Sequence, residues 1–574
     1  MNKYKQTLLL VLLFSFSSAA IVQAGNIGDR LGTLLEELDS EEGIPVIITL
    51  DDQVDLKEFR GGNKKLRRVN INKALRNKAD NGQRPLQSYL KGKNASRIIS
   101  FWVFNGMAAT VRVDQVRELA DLPEVKSVRL DDMISIDSST PAYSGLPEWN
   151  LDAVQAPAMW AMGYTGTGIT VASMDTGVDI LHPDLEVTYR GGANSWYDPN
   201  GEHEDPYDSH GHGTQTMGIM VGGDKGGTAI GLAPDARWIA VKMFNDAGLS
   251  SYSAVHQGFQ WLLDPDGDPF TDDLPDIVNN SWGYPQLAGQ CFTEFEPDIQ
   301  TLKALGIAVV FSAGNGGPAE GSSESPANYR ESLAVGAVDE ILTINDFSSR
   351  GPSACTGELY PQLVAPGINV RTSDRTFGGV FTDSYVDVRG SSFAAPHVSG
   401  SMALLLSAVP DLTVEELESA LNESAYDPRD LGPGNDYGNG LVDVAAAYDL
   451  TQSGGDNSGG CSAAEIKHDG IDQDCNGYDL TIDIVLAEYI AVDEKLNVEA
   501  KSSLGKEADL TLEGYGSMRW NRKKSRWTIS VGSIAQDPGS VTVIGIEGAE
   551  SLETFVAQGE ESGGGKVGGK GKKK

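Results

Sequence analysis

Ile169-Thr170-Val171-Ala172-Ser173-Met174-Asp175-Thr176-Gly177-Val178-Asp179 is the stretch that decides the fold. A short uncharged run ends abruptly in a carboxylate and a turn glycine. Such a run, without polar alternation, reads as a strand buried on both faces. The pattern returns at 238–243, 277–279 and 308–312, several runs ending in Gly, Asn or Asp, with helical stretches between them. Buried strands alternating with helices predict an α/β fold built on a doubly wound parallel sheet. Ligands of such sheets bind beyond the carboxyl ends of the strands, so polar residues placed there are the first functional candidates.

Four stand out. Asp175 sits at the mouth of the run just quoted. His212, in Gly211-His212-Gly213-Thr214, opens an apolar helix that runs to about Met220. Asn315 follows the 308–312 run in Ala313-Gly314-Asn315-Gly316. Ser392 begins a helix over 392–406 within Gly390-Ser391-Ser392-Phe393-Ala394-Ala395-Pro396-His397, where the helix dipole favours developing negative charge. Nucleophilic acyl transfer needs this set: a hydroxyl, an imidazole to take its proton, a carboxylate to orient the imidazole, and donors for the oxyanion. A lone Asp-Thr-Gly is usually a turn and a lone Gly-Ser-Ser usually a cap. The order Asp, His, Asn, Ser across about 220 residues makes them a set. His210 competes for the role of base but stands outside the motif, while His182, His203 and His397 read as packing, loop or cap residues.

Over roughly 145–450 the sequence resembles the subtilisin-like serine proteases, or subtilases, and most of all their bacillopeptidase F-like members. Thr165-Gly166-Thr167-Gly168, His182-Pro183-Asp184-Leu185, Asn280-Ser281-Trp282-Gly283, Val364-Ala365-Pro366-Gly367 and Ala395-Pro396-His397-Val398 add to the four motifs. The resemblance implies a subtilisin-like sheet domain in which Asp175, His212 and Ser392 form the triad and Asn315 donates to the oxyanion. It implies that Ser281-Trp282-Gly283 pairs with substrate backbone, with Ala313 and Gly314 beside it. Two positions depart from the family pattern: Gln215 replaces a second His, and Ser391-Ser392-Phe393 replaces Thr-Ser-Met.

The loop after Asn315, anchored on Ser325-Pro326, places Glu324 near the floor of the pocket for the side chain preceding the scissile bond. A carboxylate there is expected to select Lys or Arg. The alternative is that Glu324 turns to solvent and leaves a broad apolar pocket.

Structural calcium is expected in one or both of two places, and no catalytic metal is implied. Asp184 matches a family calcium position, although Asp224-Lys225 in the loop 222–228 puts a cation where calcium would be opposed. Asp472, Asp474, Asn476 and Tyr478, with Gly477 at the sixth position and Asp483 at the twelfth, match the EF-hand loop pattern. The alternative is an Asn/Gly-rich turn stapled by Cys461 and Cys475.

The remaining chain divides by composition. Residues 1–24, with Lys3 and Lys5 before an apolar run and Val22-Gln23-Ala24 at its end, read as a secretory signal peptide, the alternative being an N-terminal membrane anchor. Four cysteines, Cys291, Cys355, Cys461 and Cys475, suit an oxidising compartment, with pairing inside domains the simplest arrangement. Across 574 residues, 45 Lys+Arg against 81 Asp+Glu give a net charge of −36, which repels nucleic-acid phosphate and argues against such a partner.

Residues 25–140 carry 18 basic and 18 acidic side chains, leaving 25 against 63 for 141–574. The balanced segment reads β-α-β-β-α-β, the ferredoxin-like split unit: strands at 45–50, about the Asn105-Gly106 turn and at 125–130, and helices at about 70–90 and 113–120. By the resemblance it is an inhibitor propeptide and intramolecular chaperone. Lys64-Lys65-Leu66-Arg67-Arg68 reads as a solvated loop, the alternative being a protease-sensitive or partner-binding site. Residues 451–460 read as a linker, 461–484 as the calcium loop, and 485–557 as a β-sandwich-like domain that binds a surface or substrate or serves stability. The Gly/Lys tail, 558–574, is too polar to fold. The whole reads as a secreted, extracellular serine endopeptidase acting on proteins or peptides. Its rival is a catalytically inactive subtilase scaffold used for adhesion.

Overall fold

A computed structural model describes residues 25–59, 64–136, 149–429 and 431–452. In the C-terminal unit it describes 482–490, 494–502, 510–512, 514–532, 534, 538, 540–544, 551–555 and 557–558. The segments read as signal peptide, linker and tail lie outside the described residues, as do Cys461, Cys475, Asp472, Asp474, Asn476 and Tyr478. Contacts divide the chain at Gln452 into two units.

Seven parallel strands form the central sheet of the first unit, in the order Leu363–Pro366, Leu333–Val338, Ala308–Ser312, Ile277–Asn280, Thr170–Asp175, Arg237–Lys242, Trp196–Tyr197. Four were expected from their apolar runs, each within one residue at either end. The chain enters at Thr170–Asp175, builds outward through Trp196–Tyr197 and Arg237–Lys242, then crosses back to Ile277–Asn280. That reversal opens a crevice at the end of Thr170–Asp175, where Asp175 stands.

Each face of the sheet carries its own core. On one, Val171, Ala240, Ile277 and Val310 pack against the helices His212–Val221 and Ser391–Ala408. On the other, Ala172, Met174, Val241 and Val309 meet Tyr252–Leu262 and Glu296–Ala304. Burial on both sides explains the uninterrupted apolar runs, since each such side chain removed from water contributes about 1.5–3 kcal/mol.

The N-terminal segment forms a mixed sheet in the order Asn26–Ile27, Val125–Leu130, Gly43–Leu50, Gly106–Arg112, Ser96–Phe101. The last four strands are all antiparallel neighbours and follow the arrangement expected of the split unit. Helices Lys64–Gly82 and Arg84–Gly92 replace the single stretch expected, and helix Asp29–Glu37 precedes the first long strand. The basic run expected as a loop is the first turn of Lys64–Gly82, with Arg68 buried.

Strand Gly43–Leu50 alternates between two cores. Ile44, Val46 and Ile48 face its own helices, while Ile47 turns outward with Phe101, Phe104 and Ala108 into the apolar cluster over Tyr252–Leu262 and Glu296–Ala304. Polar ties ring that contact. Arg68 Nε donates to the Leu305 carbonyl at 2.8 Å, Asn72 Nδ2 to that of Leu263 at 3.2 Å, and Gln260 Oε1 accepts from the backbone N–H of Trp102 at 2.6 Å. The segment ends in strand Met133–Ser135, antiparallel to the edge strand Leu249–Ser251.

In the C-terminal unit, Arg519–Asn521, Arg526–Gly532, Lys495–Ser502, Ile482–Ile490 and Ala557–Gln558 form one sheet. Gly516–Ser517, Thr511–Leu512, Ser540–Ile544 and Ser551–Phe555 form another. Leu496, Val498, Leu512, Trp527, Val541 and Val543 share a core. Asp483, expected to close the calcium loop, lies on Ile482–Ile490 opposite Lys501.

Candidate active site

Asp175 is the last residue of its strand and is 1% exposed. One of its oxygens accepts the Thr176 N–H at 2.7 Å. Both face Nδ1 of His212, at 2.8 and 3.0 Å, so the imidazole presents Nε2 outward as a base. His212 reaches this depth because its helix starts against the strand turn: a Cβ on Gly213 would lie 2.1 Å from the Gly177 carbonyl. Only glycine permits that approach.

Asp208, not singled out in the sequence, anchors the same helix start. Its carboxylate accepts the N–H groups of His210, Gly211 and Thr214 at 2.8–2.9 Å and the Thr214 hydroxyl at 2.7 Å. An Asp four residues ahead of a helix-opening His is a legible capping signal. His210 does not bind Asp175; burial, then the neighbouring His212, lowers its pKa. His397, with Nδ1 on the Phe393 carbonyl at 2.8 Å and Nε2 on the Asn150 amide at 2.9 Å, is held down to about 4 by burial. It is a neutral packing residue, as read.

The antiparallel pair Ile368–Ser373 and Tyr385–Arg389 delivers the chain to helix Ser391–Ala408, which begins one residue earlier than expected and accommodates Pro396. Ser392 Oγ donates to the Ser281 carbonyl at 3.2 Å, and Ser281 Oγ donates to the Ser392 carbonyl at 2.6 Å. Two further residues extend this tie. Asn279 Nδ2 donates to Ser281 Oγ at 2.9 Å, and Ser399 Oγ donates to Asn279 Oδ1 at 3.1 Å. Asn279 ends one of the predicted strand runs but was not singled out as a site residue, and neither was Ser399. Phe393, the departure from the family's Met, is 1% exposed, its ring 5.4 Å from that of His212.

Asn315 Oδ1 accepts from the N–H and the hydroxyl of Ser391, at 3.0 and 2.9 Å. With its oxygen committed, the Asn315 amide offers its NH2 end as the free donor. Ser391, in place of a family Thr, also accepts the Gly314 N–H at 3.1 Å. Gln215, in place of a family His, donates to Asp374 Oδ1 at 3.1 Å.

Ser281, Trp282, Gly283, Gly314, Asn315, Glu324 and Ser392 line one cavity, over which Ser135 and Ile136 sit. Glu324 is 3% exposed, which overturns the solvent-facing alternative. Ala313, buried beneath, offers its carbonyl to the Tyr360 hydroxyl.

Asp184 does not fit the calcium expected of it. The residue is fully buried; Oδ1 accepts the Lys225 N–H at 2.8 Å and Oδ2 the Tyr385 hydroxyl at 2.6 Å. Calcium requires a shell of oxygen acceptors, and here donors meet both oxygens. Tyr385 stands 201 residues from Asp184, beyond the reach of a local motif. The Cys291–Cys355 disulfide forms within the sheet domain, the pairing inside a domain that was expected.

A carboxylate-held imidazole packed against Phe393, with the adjacent Ser392 at a helix start and the Asn315 amide lining one cavity, defines a serine hydrolase. The Subtilase family profile matches residues 166–440. Bacillopeptidase F of Bacillus subtilis (strain 168) is 37% identical over 422 residues, which are 66% of this chain and 28% of that protein. Subtilisin E of Bacillus subtilis (strain 168) is 32% identical over 354 residues, 60% of this chain and 81% of that protein. Subtilisin DY of Bacillus licheniformis is 33% identical over 302 residues, 97% of that protein. The chain belongs to the subtilase family of serine proteases.

Proposed function

We propose that the chain is a secreted serine endopeptidase, made as a self-processing precursor. Ser392 Oγ attacks the substrate carbonyl, His212 Nε2 takes its proton and later gives it to the leaving amine, and Asp175 holds the imidazole in the required tautomer. The acyl-enzyme on Ser392 is then hydrolysed by water. Asn315 Nδ2 donates to the oxyanion, and Ser281, Trp282 and Gly283 flank the substrate backbone beside Ala313 and Gly314. Residues 25–140 serve as inhibitor and folding chaperone, 145–450 as the peptidase domain, and 485–557 as a β domain for a surface or substrate. The loop from Asp472 to Asp483 is the remaining candidate for structural calcium.

The observation that carries the reading is the His212 Nδ1–Asp175 pair at 2.8 Å, its imidazole packed on Phe393 next in the chain to Ser392, which lines one cavity with Asn315. The edge pairing of Met133–Ser135, with Ile136 N–H on the Gly248 carbonyl at 3.1 Å, supports the inhibitory role, because it leads the chain over that cavity as an extended substrate would run. A serine-directed fluorophosphonate tests the enzyme reading: covalent label on Ser392 supports it, and no label on the matured protein favours the inactive scaffold. Among the described residues no helix is long and apolar enough to cross a membrane.

A further inference from the structure

We infer that Glu324 makes this protease selective for Lys or Arg immediately before the scissile bond, an inference that rests on the endopeptidase reading above. The carboxylate lies in the wall of the catalytic cavity, within a cradle of three glycines. A Cβ on Gly314 would sit 2.2 Å from Glu324 Cδ; one on Gly316 would sit 3.2 Å from Oε1, and one on Gly283 3.3 Å from Oε2. Gly314, at φ +99°, also needs a backbone conformation that side chains disfavour. A side chain at Gly314 would displace the carboxylate, and one at Gly316 or Gly283 would crowd it.

The acid is fixed from behind. Its N–H donates to the Tyr360 hydroxyl at 3.3 Å, and Oε1 accepts from Ser349 Oγ at 3.2 Å. Burial, then the Glu324 charge, pushes the Tyr360 phenol well above its ordinary pKa, as a carboxylate in a poorly solvated wall would. Arg350, next to Ser349 in the chain, directs its guanidinium to the carbonyls of Ser348 and Asn345 and to Asp436. Oε2 is the oxygen on the side of Gly283, the strand proposed to flank substrate.

A substrate side chain entering between Ser281–Gly283 and Gly314–Asn315 meets this carboxylate. An apolar side chain would bury it further without adding charge or donors, whereas a guanidinium or ammonium supplies both. Arginine adds a planar fork matched to two carboxylate oxygens.

The test is a peptide library varied at the residue before the scissile bond, run on the matured wild-type enzyme and on Glu324→Gln. The amide keeps the size of the side chain and its bond to Ser349. Active sites are counted with the fluorophosphonate, and melting temperatures are compared to confirm folding. For the wild type, kcat/KM for Arg and Lys should exceed that for Leu and Phe by about 100-fold. The amide should lose most of that margin, read as the Arg-to-Leu ratio of kcat/KM per titrated active site. If wild type labels at Ser392 but cleaves after Leu or Phe in preference to Arg, or if Glu324→Gln leaves the Arg margin intact, the inference is overturned and the endopeptidase reading stands. Absence of label overturns both. Should Glu324→Gln fold poorly, Ser349→Ala provides the second variant. Loosening the acid should narrow the Arg margin without abolishing labelling, and an unchanged margin counts against Glu324.

Discussion

Ser281 and Ser392 hold one another reciprocally, each hydroxyl donating to the other's backbone carbonyl, at 2.6 and 3.2 Å. The nucleophile and the end of the neighbouring strand are thus positioned as one piece, although 111 residues separate them. Asn279 and Ser399 stiffen the arrangement from the buried side. Asn279→Ala is expected to lower stability by about 1–3 kcal/mol, through loss of two buried hydrogen bonds. Its kcat per titrated active site should fall about tenfold or more with KM little changed, because misplacing the attacking atom costs rate before affinity. Urea melts and active-site-titrated kinetics check both. An unchanged kcat would confine the network to a structural role.

Asn315→Ala should lower kcat by about 10²–10³ with little effect on KM. That magnitude is the one found on removing an oxyanion donor from subtilisin itself, a member of this family, and is carried over. Steady-state kinetics decide the matter; a normal kcat would take Asn315 out of the oxyanion role.

The contact between the N-terminal segment and the sheet domain should weaken in alkali. His256 is buried beneath the rings of Phe101 and Phe104, with Nδ1 on Asp298 at 2.9 Å and Nε2 on Glu294 at 3.3 Å. Arg129 of the N-terminal segment reaches the same Glu294 at 3.1 Å, and Asp131 lies close by. Burial alone would depress the imidazole pKa, but the charges and hydrogen bonds of Asp298 and Glu294 outweigh it and raise it to about 9. The folded value thus lies above the ordinary 6.5, so the bound proton stabilises the assembly fully below about pH 6.5 and is lost as pH rises through about 9. The melting temperature of the Ser392→Ala precursor should decline more steeply between pH 7 and 10 than that of a Ser392→Ala, His256→Gln double variant. Parallel profiles would remove His256 from this role.

Much of this arrangement was legible because it is written locally. Strands covered on both faces leave uninterrupted apolar runs, and each catalytic group lies within a residue or so of a glycine that shapes its turn. What was not legible depends on distant partners. Strands Leu333–Val338 and Leu363–Pro366 were not read as strands from their sequence alone. Tyr385, which occupies Asp184, belongs to a hairpin that no local spacing connects to it. The outward-facing Ile47, Phe101 and Phe104 alternate correctly for a two-faced sheet, yet only the folded chain shows which helices cover them.

Chelation should leave the sheet domain's melting temperature unchanged, since both oxygens of Asp184 are already met by donors. Tyr385→Phe, by contrast, should destabilise it by about 1–3 kcal/mol, because a buried carboxylate oxygen loses its hydrogen bond. Calorimetry with EDTA and with excess calcium checks the first expectation. A rise in the sheet-domain transition on adding calcium would restore Asp184 as a ligand.

Strand Met133–Ser135, paired with Leu249–Ser251, is separated from helix Trp149–Ala153 by the thirteen residues 136–148. The covalent link keeps the strand near its partner however dilute the protein. While the chain is whole, occupancy of the edge is therefore insensitive to dilution. A hydrolysed bond within that stretch breaks the covalent link and converts the arrangement into a two-body equilibrium governed by mass action. If the N-terminal segment acts as the proposed inhibitor, its release after such a cut is set by the volume into which the two parts disperse.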